Sequence, residues 1–169
     1  MLEAFDLNST SQWRDWLSQA EAALFRDSMR VYIQTASESV RRVRGHIDHI
    51  FHAFFLEQRI ASLVSGFESH LKVERHAATA QFKLRVPKLA NMVGVAIKPD
   101  EAEALYDGRS AYVHGREPDY TDLSDEVMER YNRFETVFRC ALLRASTDTA
   151  FGDLFLEDGV IVIAFGSLP

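Results

Sequence analysis

One short segment concentrates the side chains that phosphate and proton chemistry needs: Leu105-Tyr106-Asp107-Gly108-Arg109-Ser110-Ala111-Tyr112-Val113-His114-Gly115. Wound as a helix, it places Ala102, Leu105, Arg109, Tyr112 and Val113 on one stripe, so the arginine falls on the inward face. A guanidinium on that face is costly unless it is paired or opens on a polar cleft. His114 follows at the helix end, about 140° round a straight helix from Arg109. The end position lets its imidazole turn back toward the arginine. The carbonyl end of the helix favours the protonated ring, which suits a general acid or base.

A second group of reactive residues lies at His46, Asp48, His49 and His52. His46/His49 and His49/His52 are three apart and share a helix face. Two histidines and an acid can bind a metal. The competing reading is a solvated basic helix, and no His-Glu-x-x-His pattern supports a ligand set, so no metal or other cofactor is expected. Arg41, Arg42 and Arg44 beside them form either a phosphate-contacting face or an ordinary solvated one. Tyr106, Tyr112 and Tyr120 flank the arginine-histidine segment. Tyr106 is the candidate for stacking on a base, and Tyr112 fits core packing better.

Helices must position these residues. Asn8-Ser9-Thr10-Ser11 offers N-caps for a helix that carries Trp13, Trp16, Leu17, Ala20, Leu24 and Phe25 toward Thr35. Apolar residues from Ile47 to Leu71 predict one long helix over about 38–73. A third helix is expected over 76–93, split or kinked at Pro87. Lys98-Pro99-Asp100-Glu101 opens a fourth, since proline suits the first helical position and acids the first turn. Gly115 is its expected stop. A fifth helix begins near Ser124 and carries Val127, Tyr131, Phe134, Phe138, Ala141 and Ala145 on one stripe, with Cys140 read as a buried small hydrophobe. The tail, Leu154-Phe155-Leu156 and Val160 to Phe165 around Glu157-Asp158-Gly159, reads as a small hairpin or extended segment, or equally as a last helical turn docked on the bundle. The expected fold class is all-α, a helical bundle of about five helices.

Composition narrows the function classes. The chain has 169 residues, 47% of them hydrophobic and 26% charged, normal for a single globular domain. One cysteine excludes an internal disulfide and a multi-cysteine zinc site. No apolar run is long enough to span a membrane and no secretory signal opens the chain, so a cytoplasmic protein without a membrane partner is expected. The net charge of −6 is carried entirely by residues 115–169, whereas residues 41–88 hold nine Arg/Lys, four Asp/Glu and five of the six histidines. A basic stretch on an acidic chain is compatible with a nucleic-acid partner.

Arg109-Ser110, three further residues and His114-Gly115 resemble the R-x4-H signature of the HEPN superfamily, and the wider pattern is closest to its Apea-like group of prokaryotic proteins. Arg59 to Leu71, with Glu68, is similar to an earlier helix of that group, and Gln81 to Ala90 is similar to the stretch between. The resemblance covers about residues 46–145. Residues 1–45 are then an N-terminal helical extension and 147–169 a tail, all in a single domain 1–169. Two other Arg/His pairs share the spacing, Arg41/His46 and Arg44/His49, but both lie mid-helix and lack the flanking residues.

The resemblance implies a metal-independent endoribonuclease that acts as a homodimer, with Arg109 and His114 of two chains meeting in one cleft. RNA brings its own nucleophile, the 2′-OH. The protein has to move two protons and stabilise a phosphorane, and imidazole and guanidinium supply both. Ser110 would contact a phosphate or orient His114, and Glu68 would pair with Arg109 and aim it. The implied setting is prokaryotic defence or toxin action, with an antitoxin or regulatory protein as a further partner. The alternative is a non-catalytic HEPN module for dimerisation or RNA binding, part of a larger protein.

Overall fold

Apolar residues recurring at three- and four-residue intervals build every element of this fold. The computed structural model describes residues 38–53, 55–113 and 125–166, all within one unit, Thr35–Pro169. Among the described residues there are seven α-helices and no strand: α1 (Glu38–His52), α2 (Leu56–His70), α3 (Ala78–Met92, entered through a 3-10 turn at Arg75–Ala77), α4 (Pro99–Val113), α5 (Asp125–Thr147), α6 (Thr149–Asp153) and α7 (Asp158–Phe165). The fold class is an all-α helical bundle. None of the described helices is long and apolar enough to cross a membrane. The expected helix over residues 13–35 lies outside the described residues.

Helix α2 is the hub, packed against α1, α3, α4 and α5. Its Leu63, Val64 and Phe67 are fully buried. The Phe67 ring meets Phe82 of α3 edge-on, with centroids 5.9 Å apart, and tilts against Phe138 of α5 at 4.9 Å. Gly66, one residue earlier, permits this approach. A Cβ there would lie 2.5 Å from Phe138 Cζ and 3.2 Å from the His46 Cβ of α1. The stripe expected on α5 is buried from Tyr131 through Phe134, Phe138 and Ala141 to Ala145, while Val127 is partly exposed.

The expected single helix over 38–73 is two helices folded back on each other. The break falls between His52 and Leu56, where Phe55 is extended at φ −92° and ψ 142°. No glycine or proline marks it. One straight helix would be about 54 Å long, too long for its apolar face to find a partner in this bundle. Doubling back lets α1 pack along α2 instead. The Arg59 Nε donates to the Ala53 carbonyl at 3.0 Å and thus satisfies one of the groups the break sets free.

The end of α2 is held from α3. Lys72 takes φ +48°, the left-handed region that favours glycine. Arg85, 3% exposed, donates from Nη1 to the carbonyls of Leu71 at 2.8 Å and Lys72 at 3.2 Å. A buried cation here closes a helix whose carbonyls would otherwise lack partners. Helix α3 also runs through Pro87 without the expected split. Proline forfeits one backbone bond, and the buried Phe82, Val86, Leu89 and Ala90 on the packed face outweigh that loss.

Helix α4 begins as its sequence implies. Pro99 holds the first position, and the Lys98 N–H donates to Glu101 Oε2 at 2.8 Å, half of a capping box. Arg133 of α5 pairs with the same carboxylate. The Lys98 N–H is the main cause holding the Glu101 carboxyl below its ordinary value, and Arg133 adds to it against the opposing effect of burial.

Of the readings left open for the tail, the helical one holds: Leu154–Leu156 form a turn after the short α6, and Val160–Phe165 lie in α7. Asp148 caps α6 by accepting from the Phe151 N–H at 3.1 Å. The acidic pair expected to form a hairpin turn instead leads into α7, which ends at Gly166 with φ +98°. Phe165 stacks on Phe155 at 5.6 Å and Phe155 on His70 of α2 at 3.8 Å, so packing overrides the strand propensity of Val160 to Ile163. Cys140 is exposed, not buried. It lies about 200° from Phe138 on α5, which turns it away from the core.

Candidate functional site: an arginine, glutamate and tyrosine cluster between two helices

The inward face of α4 meets α2 at Glu68. Ala102 and Leu105 of α4 are buried, which seats the helix and brings Tyr106 and Arg109, one turn on, over the carboxylate. The Tyr106 hydroxyl donates to Glu68 Oε1 at 3.1 Å. The Arg109 Nη2 donates to Glu68 Oε2 at 3.5 Å. The guanidinium carbon lies 5.8 Å from the centre of the Tyr106 ring. The side chains of Arg109 and Glu68 keep 27% and 21% of their surface exposed, so the cluster opens on solvent.

A charge-assisted N–H to carboxylate bond usually measures about 2.7–2.9 Å. The Arg109–Glu68 contact is longer and uses one oxygen only. The Arg109 Nε is buried and has no hydrogen-bond partner among the described residues. The guanidinium is therefore oriented by one long contact, and the exposed part of it, not the buried Nε, is what an anion could reach. Tyr106 is firmly set. Its ring, 8% exposed in the whole residue, tilts against Phe82 at 5.2 Å. Burial, and after it the Glu68 charge and hydrogen bond, push its hydroxyl above the ordinary tyrosine value against a smaller opposing effect of Arg109. The phenol thus remains a donor.

The structure places the other predicted residues as follows. Ser110 is half-buried beside Arg109. Val113 is 54% exposed, so it is not part of the inward stripe on which the sequence placed it. His114 lies outside the described residues, as do Tyr120 and the side chains of Tyr112, Arg42 and Arg44. Arg41 is exposed on α1. Tyr106 has no ring face open for base stacking; its place is in the cluster.

His46 is the residue whose place the sequence pattern hid. Its spacing groups it with His49 and His52, but those two are exposed on α1 while His46 is half-buried against α2. His52 Nδ1 donates to the Asp48 carbonyl at 2.7 Å. Among the described residues, no three His, Cys, Asp or Glu side chains gather as a metal site. Burial lowers the His46 pKa, the neighbouring His49 lowers it further, and the Glu68 charge acts in the opposite sense. Only the packing of α1 back along α2 brings this imidazole within reach of the Glu68 field.

A pH dependence follows. The unfolded chain takes up a proton at His46 near pH 6.5, the folded protein only at lower pH. The His46 contribution to stability is therefore complete above about pH 6.5 and is lost as pH falls through the folded-state value. Thermal melts between pH 7.5 and 5 should show the parent losing stability faster than His46→Asn. Parallel curves for the two proteins would remove His46 from the account.

No protein-family model, no curated protein and no solved structure matches this chain.

Proposed function

We propose that this chain is a metal-independent endoribonuclease of the HEPN type. One observation carries the proposal most: an Arg109 guanidinium that keeps 27% of its side-chain surface exposed while one long contact to Glu68, at 3.5 Å, orients it. Such a group suits a phosphate oxyanion, whose charge it can meet through two N–H donors at once. His114, five residues on, supplies the proton-transfer group, and Ser110 lies between them to contact the phosphate or the imidazole. Attack of the 2′-OH on the adjacent phosphorus forms the new P–O bond. The 5′-oxygen leaves with the P–O electron pair and takes up a proton, and the product carries a 2′,3′-cyclic phosphate.

One imidazole per chain must serve either as base or as acid, so two chains are needed for a full set. The functional unit in this reading is a homodimer whose two-fold axis passes near His114. Arg41, exposed on α1, contacts phosphate in this reading, together with Arg42 and Arg44 beside it in the sequence. Prokaryotic defence or toxin action, held in check by an antitoxin or regulatory protein, is the setting this reading places it in.

Incubation of the purified chain with structured and unstructured RNA tests the proposal. Cleavage is expected to survive EDTA and to leave 2′,3′-cyclic phosphate ends. Light scattering on the same sample should report a dimer. Cleavage abolished by chelator and restored by zinc or magnesium would replace this mechanism with a metal-dependent one. A monomer at the working concentration would remove the two-chain site.

A further inference from the structure

The proposed chemistry uses Arg109 and leaves Tyr106 without a part, yet Tyr106 is the most firmly fixed member of the cluster. A glutamate held by one long contact is free to turn about its last torsion, which has broad minima. Either carboxylate oxygen could then face Arg109, and neither would be fixed. The Tyr106 hydroxyl removes that freedom by occupying Oε1 at 3.1 Å, which leaves Oε2 for the Arg109 Nη2. The tyrosine is itself immobile, since its ring lies against Phe82, which is 0% exposed. Both donors stand one turn apart on α4, so a single rigid element presents them to one carboxylate of α2.

We propose that Tyr106 is a positioning residue that fixes the Glu68 carboxylate and, through it, directs the Arg109 guanidinium toward an incoming phosphate oxyanion. The link to the phosphate rests on the ribonuclease reading. The link from Tyr106 through Glu68 to Arg109 does not. Tyr106→Phe is the informative change, because it keeps the packed ring and removes only the hydroxyl.

The experiment compares the full chain with Tyr106→Phe, Glu68→Gln and the double variant by two readouts. The first is the nitrogen-15 NMR signal of the Arg109 Nε–H, assigned by its disappearance in Arg109→Lys. Tyr106→Phe and Glu68→Gln should each shift or broaden it, and the double variant should look like Glu68→Gln alone. The second readout is cleavage. Tyr106→Phe should lower kcat roughly tenfold, the scale of one lost hydrogen bond, with KM within about twofold. In the Glu68→Gln background it should have no further effect. An Arg109 signal unmoved by Tyr106→Phe, or moved equally with Glu68 replaced, overturns the inference. A parent protein that cleaves no RNA defeats the ribonuclease reading alone, and the NMR comparison still decides the positioning role.

Discussion

Arg109→Ala is expected to slow RNA cleavage by about two to three decades while the protein melts almost as before. Loss of a group that stabilises charge developing in the transition state costs on the order of 10²–10³ in rate. Its structural cost is small for a stated reason. The side chain is 27% exposed and its single ion pair, at 3.5 Å, is long, so the loss should be about 1 kcal/mol or less. His114→Ala is expected to slow cleavage by about 10²–10⁴-fold through loss of proton transfer. Cleavage rates and melting curves taken on the same samples check both. A large drop in melting temperature for Arg109→Ala, with no cleavage by the parent under any RNA and enzyme concentration tried, would leave a bundle-fixing role in a non-catalytic module.

Phe138→Ala is expected to destabilise the bundle by about 3–5 kcal/mol, enough to unfold a marginal domain. Phe138 is fully buried and contacts Phe67 of α2 across the middle of the bundle. Gly66→Ala gives a matched test of the same interface. The added methyl would fall 2.5 Å from Phe138 Cζ, and that ring has no exposed side to move toward. Crowding should cost about 1–3 kcal/mol and outweigh the gain of about 1 kcal/mol in helix propensity. With Phe138 replaced by alanine, Gly66→Ala should become neutral or stabilising. Denaturant melts of the four proteins give the coupling directly. Additive effects would show that the glycine is not there to admit the ring.

The two substitutions mark different degrees of legibility. The spacing of Phe138 within the α5 stripe announces its burial, because the 3.6-residue period is a local property of the helix. The need for Gly66 is silent, since glycine in a helix reads as weakness until a ring from another helix is seen against it. The start of α4 is equally local. Pro99 and Glu101 define it within one turn, and the capping contact from Lys98 to Glu101 has the form that such a start implies. Where local preference and packing disagree, the sequence leaves alternatives open. Val160 to Ile163 favours a strand by its branched side chains, yet the segment lies in helix α7, which buries Ile161 and Phe165. Ile163 then remains 86% exposed.

By itself the sequence determined the fold class, most of the buried stripe of α5 and the inward place of Ala102 and Leu105 on α4, whereas the pairing of Arg109 with Glu68 was implied only by the family resemblance. The first three depend on residues close together in the chain. Only the tertiary structure decided how they meet. The fold-back after His52 set His46 against α2, and the packing of α4 on α2 brought Tyr106 and Arg109 to Glu68 across separations of 38 and 41 residues. The physical reason is that periodicity specifies which face of a helix is apolar but not which helix will cover it. That choice is made by the whole set of helices burying their faces together, and it turned the tyrosine read as a base-stacking candidate into a buried partner of Glu68.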